Sequence, residues 1–164
     1  MKEFNHYLTD VGLFIVTIVF LVGFSLPNIV YGQEVLRGLD LSQVGFMLHV
    51  KGQYREGLEK RAIKQFTDAG LKLGTMDMFP RVELNLEQEE IKNCKGSVIY
   101  QPKLELLEEV ALVRSGHKRI ATTWFLGQKF GYESEPLRLS DLEQKQDEML
   151  KVFIDQYKFL NPKK

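Results

Sequence analysis

The side chains that most often carry chemistry are sparse in this sequence, and their spacing limits what it can catalyse. Beyond the N-terminal stretch there are two histidines, His49 and His117, and the whole chain has one cysteine, Cys94. A catalytic metal usually takes three converging imidazole, thiolate or carboxylate ligands, so two scattered histidines predict no metal site. A single cysteine closes no intramolecular disulfide; Cys94 falls in the polar stretch Lys92-Asn93-Cys94-Lys95-Gly96, where a turn is expected to expose it. Nucleophilic catalysis needs a serine or cysteine beside a base and an orienting carboxylate, and no G-x-S-x-G elbow is present. G-x-G-x-x-G and a Walker glycine-lysine pair are missing too, so no phosphate loop is expected. No catalytic residue and no cofactor is assigned.

Other groupings have weaker chemical meaning. Arg114, His117, Lys118 and Arg119 share one turn, which makes a small-anion site there conceivable and a solvated turn the simpler reading. The acidic run Glu87 to Glu90 supplies paired carboxylates of the kind calcium or acid–base catalysis uses, yet at a strand end it reads as a solvated tip. Trp124, Phe125, Phe130 and Tyr132 gather aromatic surface. Adjacent strand residues point to opposite faces, so one of Trp124 and Phe125 enters the core and the other, with Phe130 and Tyr132, can offer a partner-binding face. His49 falls on the polar side of a strand and is expected to pack on the sheet surface.

These residues must be positioned by elements that hydrophobic periodicity locates. Val44, Phe46, Leu48 and Val50 alternate with Gly45, Met47 and His49, the pattern of a half-buried strand. Tyr54, Leu58, Ala62, Phe66 and Ala69, with Ile63 beside them, recur at helical steps, and Gly70 is placed as the C-terminal cap. A short strand at Leu71–Leu73 leads to the irregular segment Gly74–Pro80, where Met76, Met78 and Phe79 crowd together. Val82, Leu84 and Leu86 mark a strand with one wet face. From Ser97 alternation runs through Pro102, slips at Leu106-Leu107, where a bulge is expected, and continues to Val113. The turn Arg114–Lys118 returns the chain along Arg119–Phe130, making a long hairpin. Ser140 with Glu143 reads as a capping box for a closing helix that stops at Asn161-Pro162. The order βαββββα predicts an α+β fold: a mostly antiparallel sheet of about five strands with two helices on one face, preceded by an N-terminal signal or anchor helix.

Val11–Phe24 is 14 residues without a charge, the length of a signal-peptide core. Val30-Tyr31-Gly32 suits a cut ahead of Gln33, so residues 1–32 are read as a signal peptide and 33–164 as one extracytoplasmic domain. The acidic start MKEFNHYLTD, and an apolar run that can extend to Tyr31, keep an uncleaved anchor as the alternative. The expected location is periplasmic or secreted, or membrane-anchored and facing the periplasm.

With 44% hydrophobic residues and 11% aromatics the chain can bury a core. Lys plus Arg equals Asp plus Glu at 22 each, which leaves no global field to gather nucleic acid or anionic lipid. Nucleic acid is therefore excluded as a partner, and the membrane enters only through an uncleaved N-terminal segment.

Four stretches carry a resemblance: Leu36-Arg37-Gly38-Leu39, Ala69-Gly70-Leu71, Ala121-Thr122-Thr123-Trp124, and Phe153-Ile154-Asp155-Gln156-Tyr157 with Asn161-Pro162-Lys163. In order and spacing they resemble a family of exported bacterial envelope (periplasmic) proteins of small α+β fold with no assigned activity. The resemblance implies export and a compact fold, and nothing chemical. In architecture the chain is also similar to the small α/β domains of envelope assembly factors such as the amino-terminal domain of the TolB translocation protein.

Two functions follow. One is a non-catalytic binding or assembly module that holds an envelope protein or peptide by its open sheet face or an edge strand. The other is a small periplasmic ligand-binding protein or hydrolase with a pocket near Met76, Met78 and Phe79. A concave site where His49 or His117 meets a carboxylate favours the second; a flat apolar patch favours the first.

Overall fold

In the computed structural model, residues 28–31, 33–41 and 44–162 are described, so the leader reading lies outside them apart from its last four-residue strand. Along the described chain run β1 (Asn28–Tyr31), a 3-10 turn (Gln33–Leu36), β2 (Gly45–His49), α1 (Arg55–Asp68), β3 (Arg81–Asn85), β4 (Gln88–Glu90), β5 (Val98–Tyr100), β6 (Lys103–Ala111), β7 (Lys118–Gln128), β8 (Gly131–Glu133) and α2 (Leu139–Leu160). A five-stranded sheet has the order β1-β7-β6-β3-β2, and a small second sheet has the order β4-β5-β8. α1 bridges β2 and β3, which run parallel; the other pairs are antiparallel.

The predicted alternation determines which face is dry. Phe46 and Leu48, Val82 and Leu84, Leu104 and Leu106, and Trp124 and Leu126 are buried on one side of the large sheet. α1 covers them with Leu58, Ala62 and Phe66, and α2 with Met149, Leu150 and Phe153. A chain of tilted and edge-on rings crosses this core from Phe46 to Phe66 (5.4 Å between centroids), Phe66 to Phe153 (6.4 Å) and Phe153 to Trp124 (5.1 Å). Both helices lie on one face and the fold is α+β, as the pattern predicts. Ile63 is the exception in the α1 stripe: it is 42% exposed.

Local signals explain the element ends. Gly70 takes φ +82°, its N–H donates to Thr67 O (2.9 Å), and the Leu71 N–H donates to Phe66 O (2.9 Å), a complete Schellman cap at the predicted residue. The cap of α2 falls two residues earlier than Ser140-Glu143: the Asp141 carboxylate accepts from the Arg138 N–H (3.0 Å). Asn161 ends α2 and clamps the close of the 3-10 turn, its Nδ2 donating to Leu36 O (2.6 Å) and its Oδ1 accepting from the Gly38 N–H (2.7 Å).

The stretch read as one strand from Ser97 to Val113 breaks at Gln101-Pro102, because proline has no N–H for a ladder. β5 joins the small sheet, and β6 begins the hairpin. The acidic run is solvated at Glu89 and Glu90, as expected, but it forms a strand of its own: Gln88–Glu90 is β4, paired with β5. Leu71–Leu73 contributes a single bridge, Leu73 to Val44.

Candidate functional site

The hairpin outgrows the sheet that supports it. β3 pairs with β6 only as far as Arg81 opposite Leu107, and β1 meets β7 from Phe125 onward. The register shifts at Leu106/Leu107, the expected bulge, and a bulge bends and further twists its strand. Beyond it Glu108–Ala111 pairs only with Lys118–Ala121, and neither outer edge of this ribbon has a partner strand among the described residues. At ~3.3 Å per residue the arm reaches roughly 20 Å from Leu107 to Val113.

A compact turn closes the arm. Leu112 N–H donates to His117 O (2.9 Å), Gly116 N–H donates to Leu112 O (2.7 Å), and Gly116 sits at φ +66°, where glycine has no steric cost. Val113 at the apex is wholly exposed, and Leu112 and Ile120 are 45% and 46% exposed. Arg114, His117, Lys118 and Arg119 surround them, all exposed. Lys118 Nζ lies 2.8 Å from Glu109 Oε1, and that hydrogen bond holds the ammonium pKa above its usual range. Arg114 and Arg119 make no ion pair among the described residues, and no Asp or Glu occurs between Glu109 and Glu133. Of the four basic residues expected to share a turn, Arg114 and His117 lie in it, and Lys118 and Arg119 open β7 beside it.

The outer face of the large sheet carries a compensated polar network. Met47, Glu83, Glu105 and Phe125 stand opposite one another across β2, β3, β6 and β7. His49 Nε2 lies 3.1 Å from Glu83 Oε2, the Arg81 Nε donates to Glu83 Oε1 (2.8 Å), and Lys103 Nζ sits 2.8 Å from Glu105 Oε2. His49 therefore meets a carboxylate, but on a sheet surface, and among the described residues no hydroxyl or thiol hydrogen-bonds to its ring. That arrangement lacks a nucleophile for the base to activate.

The Met76-Met78-Phe79 segment is packed against β2. A Cβ on Gly45 would stand 2.5 Å from the Met78 carbonyl oxygen, so glycine is needed there, while one on Gly74 would meet only the Met78 thioether, which can swing aside. The Arg81 guanidinium covers the Phe79 ring at 4.7 Å. A cleft of about 430 Å³ opens instead at the start of α2, where Tyr100 Oη donates to Glu133 (3.3 Å) and Lys145 Nζ lies 4.8 Å from the Tyr100 ring. Burial, reinforced by Glu133, raises the Tyr100 pKa.

The four aromatic residues do not form one surface. Trp124 is the core member of its pair, fully buried, its Nε1 donating to Gln156 Oε1 (3.1 Å), so it presents nothing to a partner. Phe125 is half-buried on the outer face with its ring across Gly127, where a Cβ would meet it at 2.7 Å. Phe130 and Tyr132, 62% and 59% exposed, belong to the edge and strand of the small sheet, and Tyr132 Oη donates to Ser97 Oγ (3.3 Å). Cys94 is exposed, as its turn predicts. Sequence reasoning read Leu112 and Val113 as the end of a strand and did not single out Ile120; the neighbouring strands stop short of all three, and Val113 lies in the turn itself. Among the described residues no group of three or more His, Cys, Asp or Glu is placed to hold a metal ion, and no helix is long and apolar enough to cross a membrane.

No protein-family model and no curated protein matches the chain. Among solved structures, a candidate lipoprotein from Caulobacter crescentus aligns over 81% of this chain and 98% of its own, with a TM-score of 0.26 and 11% identity. A likeness at that score does not establish a shared fold.

Proposed function

We propose that this chain is an exported envelope protein acting as a non-catalytic binding module, with the projecting β6–β7 arm as its docking element. The observation that carries the reading is the arm itself: a ribbon outside the sheet, with an exposed apolar apex and two arginines without ion pairs among the described residues. Export is supported by the uncharged stretch Val11–Phe24. The non-catalytic reading is supported by the His49–Glu83–Arg81 network, where hydrogen bonds and ion pairs already occupy the groups.

A local probe tests this without interference from the N-terminal segment. A photo-crosslinker replacing Ser115 at the tip, in the full-length chain in cells, should join the arm to an envelope component. The same group at Ile63, exposed on α1, should not. Equal capture from both positions, no capture from the tip, or turnover in a screen of ester, phosphoester and peptide substrates would each overturn the proposal.

A further inference from the structure

Resting on that reading of the arm, we infer that its partner is an anionic lipid surface, which the tip enters as an apolar wedge ringed by cations. This goes beyond the expectation that only the N-terminal segment meets a membrane.

The shape of the tip comes first. A peptide or small ligand is usually received in a concave site, whereas Val113 stands at the apex of a two-stranded turn with its side chain wholly exposed. A convex apolar apex suits a deformable phase that closes around it. Leu112 widens the wedge, while Glu109, on the same rung as Ile120, and Glu108 below it limit how deep it can sink. The arrangement is that of an interfacial anchor, with apolar groups in the acyl boundary and cations at headgroup depth.

Charge then selects the lipid. Arg114, Lys118 and Arg119 surround the apex, and no acid follows Glu109 until Glu133. Glu109 offsets Lys118, which leaves Arg114 and Arg119 for phosphate oxygens, the anion that a guanidinium fork recognises best. A second copy of the chain fits less well. The ribbon's β6 edge carries Glu108 and Glu109 and its β7 edge Lys118 and Arg119, so a two-fold pairing of like edges sets like charges opposite one another.

The test reads the tip alone. An environment-sensitive fluorophore is attached at Ser115→Cys in the full-length chain carrying Cys94→Ser, and vesicles of phosphatidylglycerol with phosphatidylcholine are compared with phosphatidylcholine alone. The expected result is a blue shift with the anionic vesicles only. Neutralising Arg114, Lys118 and Arg119 to Gln should weaken it about a hundredfold, and high salt should act the same way. Val113→Asp should abolish it while near-ultraviolet circular dichroism of buried Trp124 stays unchanged, which shows that the fold is intact. An equal shift with both vesicles overturns the anionic assignment. No shift with either, while the tip crosslinker still captures an envelope component, overturns the lipid and leaves the binding module with a protein partner. No shift and no capture sinks both readings.

Discussion

Replacing Trp124 separates a core role from a binding role more sharply than any other single change. The indole is fully buried, meets the Phe153 ring edge-on at 5.1 Å and 70°, and donates to Gln156 Oε1 at 3.1 Å. Truncating a buried tryptophan to alanine costs ~3–5 kcal/mol in transfer and cavity terms. Losing the edge-on pair contributes about 1 kcal/mol of that range's upper half. Gln156 is half-exposed, so water replaces most of what its oxygen loses. Trp124→Ala should therefore destabilise by about 4 kcal/mol, a large share of the ~5–15 kcal/mol typical of a domain. Trp124→Phe keeps a ring against Phe153 and should cost about 1.5 kcal/mol. Urea unfolding followed by far-ultraviolet circular dichroism measures both, as a shift in midpoint at unchanged slope. A cost under about 1 kcal/mol for Trp124→Ala would show that the indole is not in the core. Loss of tip crosslinking in a stably folded Trp124→Phe variant would refute the assignment of binding to the arm.

Val113→Asp should leave unfolding stability within about 0.5 kcal/mol of wild type, because the side chain packs on nothing, and chemical denaturation checks it. The Asp147 carboxyl is held below its ordinary pKa by its hydrogen bond from Arg61, with a second from Gln65, against the opposing effect of burial. The pair's contribution is thus present above about pH 4 and lost as pH falls through the lowered native value. Partial exposure limits it to about 1 kcal/mol, and Asp147→Asn should flatten that part of the acid limb in a pH series of unfolding midpoints. A chain begun at Gln33, the cut that the leader suggests, lacks β1 and leaves the β7 edge from Phe125 to Gln128 without that partner. It should still unfold cooperatively but lose about 2 kcal/mol, on the order of 7 °C in Tm; an unchanged Tm would mean that β1 adds nothing to the fold.

The sequence was most legible where a periodic run was long enough to repeat. The strands around Phe46, Val82 and Leu104, the bulge at Leu106/Leu107 and the glycine cap at Gly70 all lie where alternation or a left-handed residue places them. The small sheet was not visible, because β4, β5 and β8 have three residues each, too few to establish a period of two. Alternation also showed that Trp124 and Phe125 part company without showing which faces the helices. That depends on register: Trp124 stands opposite Leu106, and Phe125 opposite Glu105. The basic turn was legible as residues, but its projection is a property of ladder length. Nothing in Arg114–Arg119 reveals that β3 stops pairing at Leu107 or that β1 meets β7 only from Phe125.

The balanced total of 22 basic and 22 acidic residues argues against an anionic surface, but a total says nothing of how those charges are distributed. In the body the charges cancel locally: Arg81 with Glu83, Lys103 with Glu105, Arg61 with Asp147, Lys151 with Asp155. At physiological salt a charge is felt over ~8 Å, while the apex stands roughly 20 Å beyond the sheet, so the body's acids cannot offset the tip. Of the acids near the arm, Glu109 is engaged by Lys118, and Glu108, bonded by Thr123, keeps its charge at the arm's base, about 16 Å of ladder from Val113. An approaching surface therefore meets Arg114 and Arg119 around Val113 as a small cationic, apolar-tipped probe. A chain with no net charge can in this way bind with the salt dependence of a basic one.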